Sequence, residues 1–452
     1  MPSPARPRSP FEIRRRTLLL GAAACATLAA CGGGGDSSTP AIQLSSDRSS
    51  YLVGEKALLS VRFDGDSARI EPGIGPVANG AVVQTPALAD SVVYRLIVEK
   101  AGEAPQVREL LLPVAFRERF VELPTPFPVA YHAAVEAADG SVIVIGGDRG
   151  GSTLSADVDR FDPVTRSFTR IGSLATGRSE HSALRLADGR ILVFGGNTGL
   201  GVDRLTELVN PVDGTVSDAG SLARSRGAHA ATLLADGRAL VVGGTNDDTA
   251  ELWEPTTGSW RLLASRMSHP REGHSATLLD DGRVLIAGGH FSGTDFVFAE
   301  IFDPSTETFT PLASNVTERR LLHVAERLSD GSVLLLGGEI LDGQGLTLLS
   351  SVLRFDASTN GFSGAAALGS ARTLASGHAR ADGSVLLFGG QLPGEPATGS
   401  CVAWRADTQR ALAEMPTPRR WHTLNRLPDG RLLVLGGEDQ NGGLVPAPLV
   451  YE

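Results

Sequence analysis

Arginine and histidine recur at matched positions through the last two-thirds of this 452-residue chain, with the histidine three residues after the arginine. The arginines are Arg178, Arg226, Arg271, Arg320, Arg372 and Arg419, and the histidines are His132, His181, His229, His274, His323 and His422. Gathered at one place, such groups would bind an anionic or sugar-like ligand. Alternatively, each group satisfies backbone atoms of its own repeat, and the recurrence in nearly every unit favours this second interpretation.

Polar residues at a second recurring position are also candidates for chemistry. Each follows a Gly-Gly pair that ends a short apolar run. They are Asp148, Asn197, Thr245, His290, Glu339, Gln391 and Glu438. Glu339 and Glu438 stand out because a carboxylate beside Arg320 or Arg419 would serve as an acid or a base.

The elements that must position these residues form an internal repeat. The Gly-Gly pairs recur about every 50 residues, a period typical of propeller blades. They are Gly146–Gly147, Gly195–Gly196, Gly243–Gly244, Gly288–Gly289, Gly337–Gly338, Gly389–Gly390 and Gly436–Gly437. Within each unit, Asp-Gly predicts a hairpin between the strand that begins near the histidine and the strand that ends at Gly-Gly.

The repeat resembles the kelch motif, in which an apolar run and a double glycine precede two spaced aromatic residues. The aromatic pairs here are Phe161/Phe168, Trp253/Trp260, Phe302/Phe309 and Phe355/Phe362. The resemblance covers about residues 117–452 and implies an all-β, seven-bladed kelch-type β-propeller. Phe120 aligns with a fourth strand and Tyr451 with a third strand, so we predict that the seventh blade is completed by both ends of this segment.

In kelch proteins the strand that begins near the histidine lines the central channel, and the loop after Gly-Gly opens at the same end. We call that end of the ring the mouth. The predicted binding residues at the mouth are Arg178, Arg226, Arg271, His290, Arg320, Glu339, Arg419 and Glu438. We predict neither a metal site nor a cofactor, because equivalent residues of neighbouring blades would lie roughly 10 Å apart and zinc ligands lie at about 2 Å.

The N-terminal 40 residues have the pattern of an export segment. Arg14–Arg16 precede an apolar run that is too short to span a bilayer, which predicts a signal peptide over residues 1–30. Leu28–Cys31 resembles the lipobox of bacterial lipoproteins, which implies that Cys31 is the lipid anchor. Residues 31–40 are then a flexible tether. The segment fits both the general secretory and the twin-arginine route.

Residues 41–116 alternate apolar and polar residues over short runs, which predicts a small β-sandwich. The segment around Tyr94 resembles the tyrosine corner of immunoglobulin-like domains, and we expect this domain to be a spacer. The net charge of −10 argues against nucleic acid as a partner.

Three functions remain. The first is an exported, membrane-anchored lipoprotein, located at the outer membrane, periplasm or cell surface, that binds a protein or a glycan. The second is a sugar mutarotase or epimerase that works without metal. The third resembles galactose oxidase, a copper enzyme on a seven-bladed kelch ring. That family needs a cysteine crosslinked to a tyrosine together with tyrosine and histidine ligands, and the ring here has only Cys401, Tyr131 and Tyr451 for the first two types. We therefore expect a binding protein.

Overall fold

The computed structural model describes residues 42–452 except 152, 291–296, 314–315, 344 and 407. The predicted signal peptide, Cys31 and the tether lie outside the described residues. Every regular element of the described part is a β-strand. No helix in that part is long and apolar enough to cross a membrane.

The N-terminal domain is a small β-sandwich. Its strands are β1 (Gln43–Ser46), β2 (Tyr51–Leu52), β3 (Leu58–Arg62), β4 (Ser67–Glu71), β5 (Gly75–Pro76), β6 (Val82–Gln84), β7 (Val92–Glu99), β8 (Gln106–Leu112) and β9 (Val114–Ala115). One sheet has the order β1-β3-β6 and the other β5-β4-β7-β8, while β2 pairs in parallel with β9. Alternate residues such as Leu59, Val61 and Leu96 face a common core. The immunoglobulin-like assignment stays a prediction.

The remaining strands build the propeller. Its first half consists of β10 (Phe120–Glu122), β11 (Ala133–Glu136), β12 (Val142–Ile145), β13 (Asp157–Asp162), β14 (Ser167–Ser173), β15 (Ser182–Arg185), β16 (Ile191–Phe194), β17 (Leu205–Val209), β18 (Val216–Ser221), β19 (Ala230–Leu233), β20 (Ala239–Val242), β21 (Ala250–Glu254), β22 (Ser259–Leu262), β23 (Ser275–Leu278), β24 (Val284–Ala287), β25 (Ala299–Asp303) and β26 (Thr308–Pro311).

The second half consists of β27 (Arg320–Leu321), β28 (Val324–Arg327), β29 (Val333–Leu336), β30 (Glu339–Asp342), β31 (Gly345–Leu348), β32 (Val352–Asp356), β33 (Gly361–Ala365), β34 (Ser376–Ala379), β35 (Val385–Phe388), β36 (Cys401–Arg405), β37 (Thr408–Ala411), β38 (Thr423–Arg426), β39 (Leu432–Leu435) and β40 (Leu449–Tyr451).

Seven four-stranded antiparallel sheets form the blades, which confirms the predicted fold class. Blades 1 to 4 are β11–β14, β15–β18, β19–β22 and β23–β26, blade 5 is β28-β29-β32-β33, and blade 6 is β34–β37. The first strands of consecutive blades contact one another in a closed ring. The second strand of every blade is entirely apolar and entirely buried, because both of its faces pack against neighbouring sheets.

Blade 7 confirms the predicted closure. Its sheet has the order β10-β40-β39-β38, so that the strand at Phe120 completes a sheet whose other strands come from the end of the chain. Phe120 pairs with Tyr451, and their ring centroids lie 4.9 Å apart. Joining the two ends of the segment in one sheet removes the open edge that a linear array of blades would leave.

The spaced aromatic residues pair across the third and fourth strands, as their register predicts. Phe161 lies opposite Phe168 and Trp253 opposite Trp260. The ring centroids of Phe302 and Phe309 lie 4.9 Å apart. These pairs cover the outer part of the core between blades, where large rings bury the most apolar surface for each residue.

The Gly-Gly pairs and the Asp-Gly hairpins lie at opposite ends of each second strand, which gives the ring two distinct faces. The sandwich packs on the Asp-Gly face. Asp90 accepts hydrogen bonds from Arg380 Nη2 at 3.1 Å and from the backbone N–H of Ala381 at 2.9 Å. A Cβ at Gly430 would lie 2.3 Å from Ala89. The mouth therefore points away from the N-terminal domain.

Candidate functional site

A backbone hydrogen bond links every blade to the next at the mouth. The N–H of the second glycine of each pair donates to the carbonyl of the arginine position in the following blade. The donor–acceptor distances are 2.6–3.0 Å in all seven junctions, and the last junction joins Gly437 to Val129 across the closure. The Gly-Gly repeat is thus the joint between blades.

Glycine is required at this joint for two reasons. Gly146 and Gly147 have φ of 63° and 89°, in the left-handed region that disfavours side chains. A Cβ at Gly146 would lie 2.6 Å from the Arg178 carbonyl oxygen, and one at Gly147 would lie 2.6 Å from the Ala130 carbonyl oxygen. The backbone before the first strand of the next blade lies against Gly146, and the backbone before the first strand of the same blade lies against Gly147, so no larger residue fits.

The recurring arginines lie inside the blades, which contradicts the prediction that they line an open mouth. Their exposed fractions are 0–4%. In five of the six, Nη1 donates to the carbonyl of the first glycine in the same blade, at 2.8–3.2 Å. Arg320 instead bonds the carbonyl of Leu335. The corrected set is Arg178, Arg226, Arg271, Arg320 and Arg419, which we no longer propose as ligand-binding residues.

Blades 2 to 5 neutralise the buried guanidinium with an acid. Glu207, Glu251 and Glu300 occupy the same position of the third strand, and each lies 2.9 Å from its arginine. In blade 5, Glu318 bonds Arg320 at 2.6 Å instead. Buried ion pairs of this kind hold their geometry only when both partners are also hydrogen-bonded, as they are here.

Blades 6 and 7 depart from this pattern. The position of the glutamate is taken by Val402 and Leu449, and among the described residues neither Arg372 nor Arg419 has a carboxylate within 4.0 Å. Their Nη2 atoms bond Ser400 Oγ and the Ala447 carbonyl. Burial lowers the pKa of Arg419 to about 10. These two blades therefore carry buried positive charge that is matched by neutral partners only.

The histidines also belong to the joints. Each imidazole packs against the first glycine of the preceding blade, as His181 does against Gly146. His132 Nε2 lies 2.9 Å from Thr423 Oγ1, and His323 Nε2 lies 2.9 Å from Ser275 Oγ, in both cases across a blade junction. Burial lowers the pKa of His132, His181, His274, His323 and His422 to about 3. These five rings are therefore neutral at pH 7.

The side chains that reach the mouth come from the residue just before each histidine position. This residue has a positive φ of 52–64° in every blade. The seven are Tyr131, Glu180, Ala228, Gly273, Leu322, Leu374 and Trp421. A non-glycine residue in this region costs free energy and persists only where its surroundings fix it, and such residues concentrate at functional sites.

Tyr131 and Trp421 make one sector of the mouth aromatic. Their ring centroids lie 5.4 Å apart at 49°. Tyr131 OH donates to Glu438 Oε1 at 2.7 Å, and Arg420 Nη2 donates to Glu438 Oε2 at 3.2 Å. Arg420 Nη1 also reaches Gln391 Oε1 at 3.4 Å. We call these five residues (Tyr131, Gln391, Arg420, Trp421 and Glu438) the mouth cluster.

The mouth cluster is partly open to solvent, and the protonation of its Tyr131 hydroxyl is fixed by its surroundings. The side chains of Arg420 and Glu438 are 25% and 15% exposed. Burial and the hydrogen bond to Glu438 raise the pKa of Tyr131, so its hydroxyl stays protonated and donates. Glu438 was predicted beside Arg419, but its partner is Arg420, since Arg419 turns into the blade.

Glu339 and His290 also lie at the mouth, on blades 5 and 4. Glu339 begins β30 and pairs through its backbone with Leu321, whereas Arg320 points into the blade. Burial raises the pKa of Glu339. His290 pairs with Glu272 through the backbone. The structure therefore does not bring Glu339 and Glu438 together as an acid–base pair, because their contacts belong to different blades.

Sequence reasoning missed Tyr131, Arg420 and Trp421. A usable signal existed, since these residues adjoin the recurring positions and Trp421 is a large aromatic residue directly before a histidine. The repeat itself gave no reason to separate a buried Arg419 from the half-buried Arg420 that follows it.

A cavity of about 720 Å³ lies on the Asp-Gly face between blades 4 and 5. Three of its four carboxylates already have basic partners, and the fourth, Asp356, accepts hydrogen bonds from the backbone N–H and the hydroxyl of Ser358. Asp330 pairs with Arg354, and Asp281 lies 2.6 Å from Arg283. Among the described residues no group of three or more His, Cys, Asp or Glu has the arrangement of a metal site. This cavity does not offer a free acidic site.

Comparison with known proteins places the fold. Residues 130–175 match the Kelch motif, and no curated protein matches the chain. A fungal alcohol oxidase of the AA5 family, solved in complex with copper, is similar with a TM-score of 0.60 and 16% identity over 74% of this chain and 75% of that one. The structure of YjhT has a TM-score of 0.46 and 16% identity over 73% of this chain and 96% of that one. At this identity the oxidase shares the kelch-propeller fold alone.

The residues here do not fit the copper site that the galactose-oxidase resemblance implies. Cys401 is buried in blade 6, where its Sγ lies 3.4 Å from the Gly399 carbonyl and burial raises the thiol pKa to about 12. The recurring histidines are engaged at blade junctions. We therefore derive no step through copper.

The two kinds of buried arginine predict different costs of substitution. Arg226→Leu strands Glu251, which is 0% exposed, and should lower the free energy of unfolding by about 3–5 kcal/mol. Arg419→Leu strands no carboxylate and should cost clearly less. Urea denaturation of both variants checks this, with Arg226→Leu/Glu251→Leu as the control that removes the stranded charge. Equal costs for the two single variants would contradict the charge assignment.

The neutral histidines predict a steep loss of stability in mild acid. The unfolded chain takes up protons near pH 6.5, whereas the five buried rings resist protonation until about pH 3. The unfolded state is thus favoured as pH falls, by about 1.4 kcal/mol per pH unit for each ring. Glu326, whose pKa burial raises to about 7, works in the opposite direction. Urea denaturation between pH 6.5 and 5 measures the slope, and a flat profile would refute the prediction.

Proposed function

We propose that this chain is an exported binding protein that holds a glycan at the mouth cluster. The observation that carries the proposal is the Tyr131–Trp421 pair beside the Glu438 carboxylate. The faces of the two aromatic rings supply apolar contact area to a ligand. A carboxylate, an amide and a guanidinium around them supply the acceptors and donors that fix hydroxyl groups. A hydroxyl-rich sugar ring presents both kinds of surface.

The electrostatics of the cluster favour recognition over turnover. Glu438 is held by Tyr131 and Arg420, so both of its oxygens already accept a hydrogen bond. Tyr131 remains a donor because its pKa is raised. The mutarotase or epimerase alternative needs a second carboxylate at the same place, and Glu339 lies on blade 5, where its backbone pairs with Leu321. The kelch-propeller scaffold accommodates either activity, and the geometry supports binding better.

The orientation of the domains supports a role at a surface. The sandwich packs on the Asp-Gly face through Asp90 and Arg380, so that the mouth is directed away from the N-terminal side of the chain. If Cys31 carries a lipid, the tether and sandwich would hold the ring above a membrane with its mouth outward. A protein partner is the competing ligand class for the same mouth.

We propose that Cys31 anchors the mature protein. Cys31→Ser should move the protein from the membrane fraction to the soluble fraction and abolish incorporation of labelled palmitate. Cys25→Ser in the same segment is the matched control and should change neither result. A membrane-bound Cys31→Ser protein would exclude the lipid anchor.

Binding is tested with a glycan array followed by tryptophan fluorescence titration. Trp421→Ala should weaken binding of the array's best glycan by about tenfold. Contact with an aromatic face contributes on the order of 1 kcal/mol of binding free energy, and 1.4 kcal/mol corresponds to about tenfold in affinity. Glu438→Gln should also weaken it. Of the other three tryptophans, Trp253 and Trp404 are buried and Trp260 packs between blades 2 and 3, where its Nε1 donates to Thr206 Oγ1, so the ligand-dependent signal should be lost in Trp421→Phe.

Controls come from the other side of the mouth. Leu200→Ala removes a fully exposed apolar side chain from the blade 2 loop, and Glu272→Gln neutralises a mouth carboxylate on blade 4. Both should bind as the unmodified protein does. If no glycan on the array binds, the glycan proposal is wrong. Binding of a purified protein partner that Trp421→Ala and Glu438→Gln abolish would then show that the ligand is a protein.

A further inference from the structure

A cavity of about 300 Å³ lies between blades 6 and 7, beside the segment that joins the N-terminal sandwich to β10. Phe116 and Glu118 of that segment line it, together with residues of β35, β36 and β37 in blade 6 and Tyr451 in blade 7. It adjoins Asp382 of the blade 6 Asp-Gly hairpin, so it is separate from the mouth cluster at the other face. Ligand pockets commonly lie between domains and begin at about this volume.

A small side chain in blade 6 leaves room for this cavity. Ala403 lies opposite Leu386 on the side of the third strand that faces blade 7. The same register position holds a larger residue in each of the other blades, namely Arg160, Leu208, Leu252, Ile301, Arg354 and Val450. Leu386, Leu412 and Phe116 pack around Ala403 in one apolar cluster. The wall of the cavity on this side is therefore apolar.

Tyr451 brings to the cavity a hydroxyl group that the fold does not use. Tyr451 lies opposite Leu432, and five other blades hold an aromatic residue without a hydroxyl at the same position. These residues are Phe161, Trp253, Phe302, Phe355 and Trp404. Tyr451 is 1% exposed, and among the described residues nothing forms a hydrogen bond with its hydroxyl. A buried hydroxyl without a partner costs free energy, which a ligand in the cavity would recover.

Arg405 supplies a second free donor at the rim of the cavity. Arg380 and Arg410 also line the cavity, but carboxylates already hold them at 3.1 and 2.6 Å. Arg405 Nη1 lies 3.8 Å from Asp382 Oδ2, which is beyond hydrogen-bonding distance, and the Arg405 side chain is 59% exposed. Asp382 instead accepts hydrogen bonds from the N–H and the hydroxyl of Ser384. The Arg405 guanidinium is therefore available for a charge-assisted hydrogen bond to a carboxylate.

We propose that this cavity is a second binding site, which takes a small carboxylate with an apolar body. The volume corresponds to about ten water molecules, which limits the ligand to about the same number of non-hydrogen atoms. The apolar body packs on Phe116, Leu386 and Leu412, the carboxylate pairs with Arg405, and the Tyr451 hydroxyl bonds a ligand oxygen. The site does not depend on the proposed glycan binding at the mouth.

The test is a ligand-observed NMR titration of the full mature protein with two acids of this size, octanoate and 4-hydroxybenzoate. We expect saturable binding of at least one acid with a Kd below about 1 mM. Its primary amide, which is neutral and of the same shape, should bind about tenfold more weakly, because the charge-assisted hydrogen bond is lost. The two acids distinguish an aliphatic from an aromatic body.

Variants place the binding in the cavity. Ala403→Leu fills it and should abolish binding, and the leucines of blades 2 and 3 show that the fold accepts this residue at the same position. Tyr451→Phe removes only the hydroxyl and should weaken binding about fivefold. Arg405→Gln should reduce the affinity for the acid to that for the amide. Arg190→Gln, on the Asp-Gly hairpin of blade 2, is the matched control and should change nothing.

The outcomes separate this site from the mouth. Ala403→Leu should leave glycan binding at the mouth unchanged, so that either proposal can fail without the other. No saturable binding of either acid, or binding that survives both Ala403→Leu and Tyr451→Phe, would overturn the site. Equal affinity for an acid and its amide would overturn the assignment of a carboxylate ligand.

Discussion

The ring depends on one backbone hydrogen bond, from the second glycine of each pair to the carbonyl of the arginine position in the next blade. A single bond of this kind contributes about 1 kcal/mol, but here it recurs at every junction and closes on itself at Gly437 and Val129. Its geometry requires positive φ and no side chain, which accounts for the Gly-Gly repeat. The buried arginine and the neutral histidine then fill the space on either side of this bond.

This arrangement separates the residues of the fold from those of the function. Arginine and histidine looked like the chemically active groups, yet both are buried in the fold. The arginines bond carbonyls and, in blades 2 to 5, glutamates, whereas the histidines pack at the blade junctions, where His132, His229 and His323 also bond hydroxyls. At the mouth, the two residues between the arginine and histidine positions and the residue after Gly-Gly differ from blade to blade. The variation is greatest where Tyr131, Trp421 and Glu438 meet, which is also where the two ends of the propeller segment close the ring.

The charge pattern of the arginines shows a second asymmetry in the same part of the ring. Arg178, Arg226 and Arg271 are each matched by a buried glutamate, whereas Arg372 and Arg419 have neutral partners. Blades 6 and 7 also carry most of the mouth cluster.

Much of the fold could be predicted from sequence because the repeat fixes register. The glycine pairs, the Asp-Gly turns and pairs such as Phe302/Phe309 each determine which residues lie opposite one another. The site could not be predicted as well, because side-chain direction depends on neighbours in other blades. Arg419 turns inward to Gly436 while Arg420 reaches Glu438, and no periodic pattern distinguishes them. Tyr131 meets Trp421 only because the ring closes between them.

The central claim is that the buried basic residues hold the ring while one sector of the mouth binds the ligand. Hydrogen–deuterium exchange of the mature protein, with and without the best-binding glycan from the array, tests it most directly. The account predicts new protection in peptides that contain Tyr131, Arg420–Trp421 and Glu438, and none in the equivalent peptides of blade 2 around Glu180 and Asn197. Protection spread evenly over all blades, or confined to the N-terminal sandwich, would contradict it.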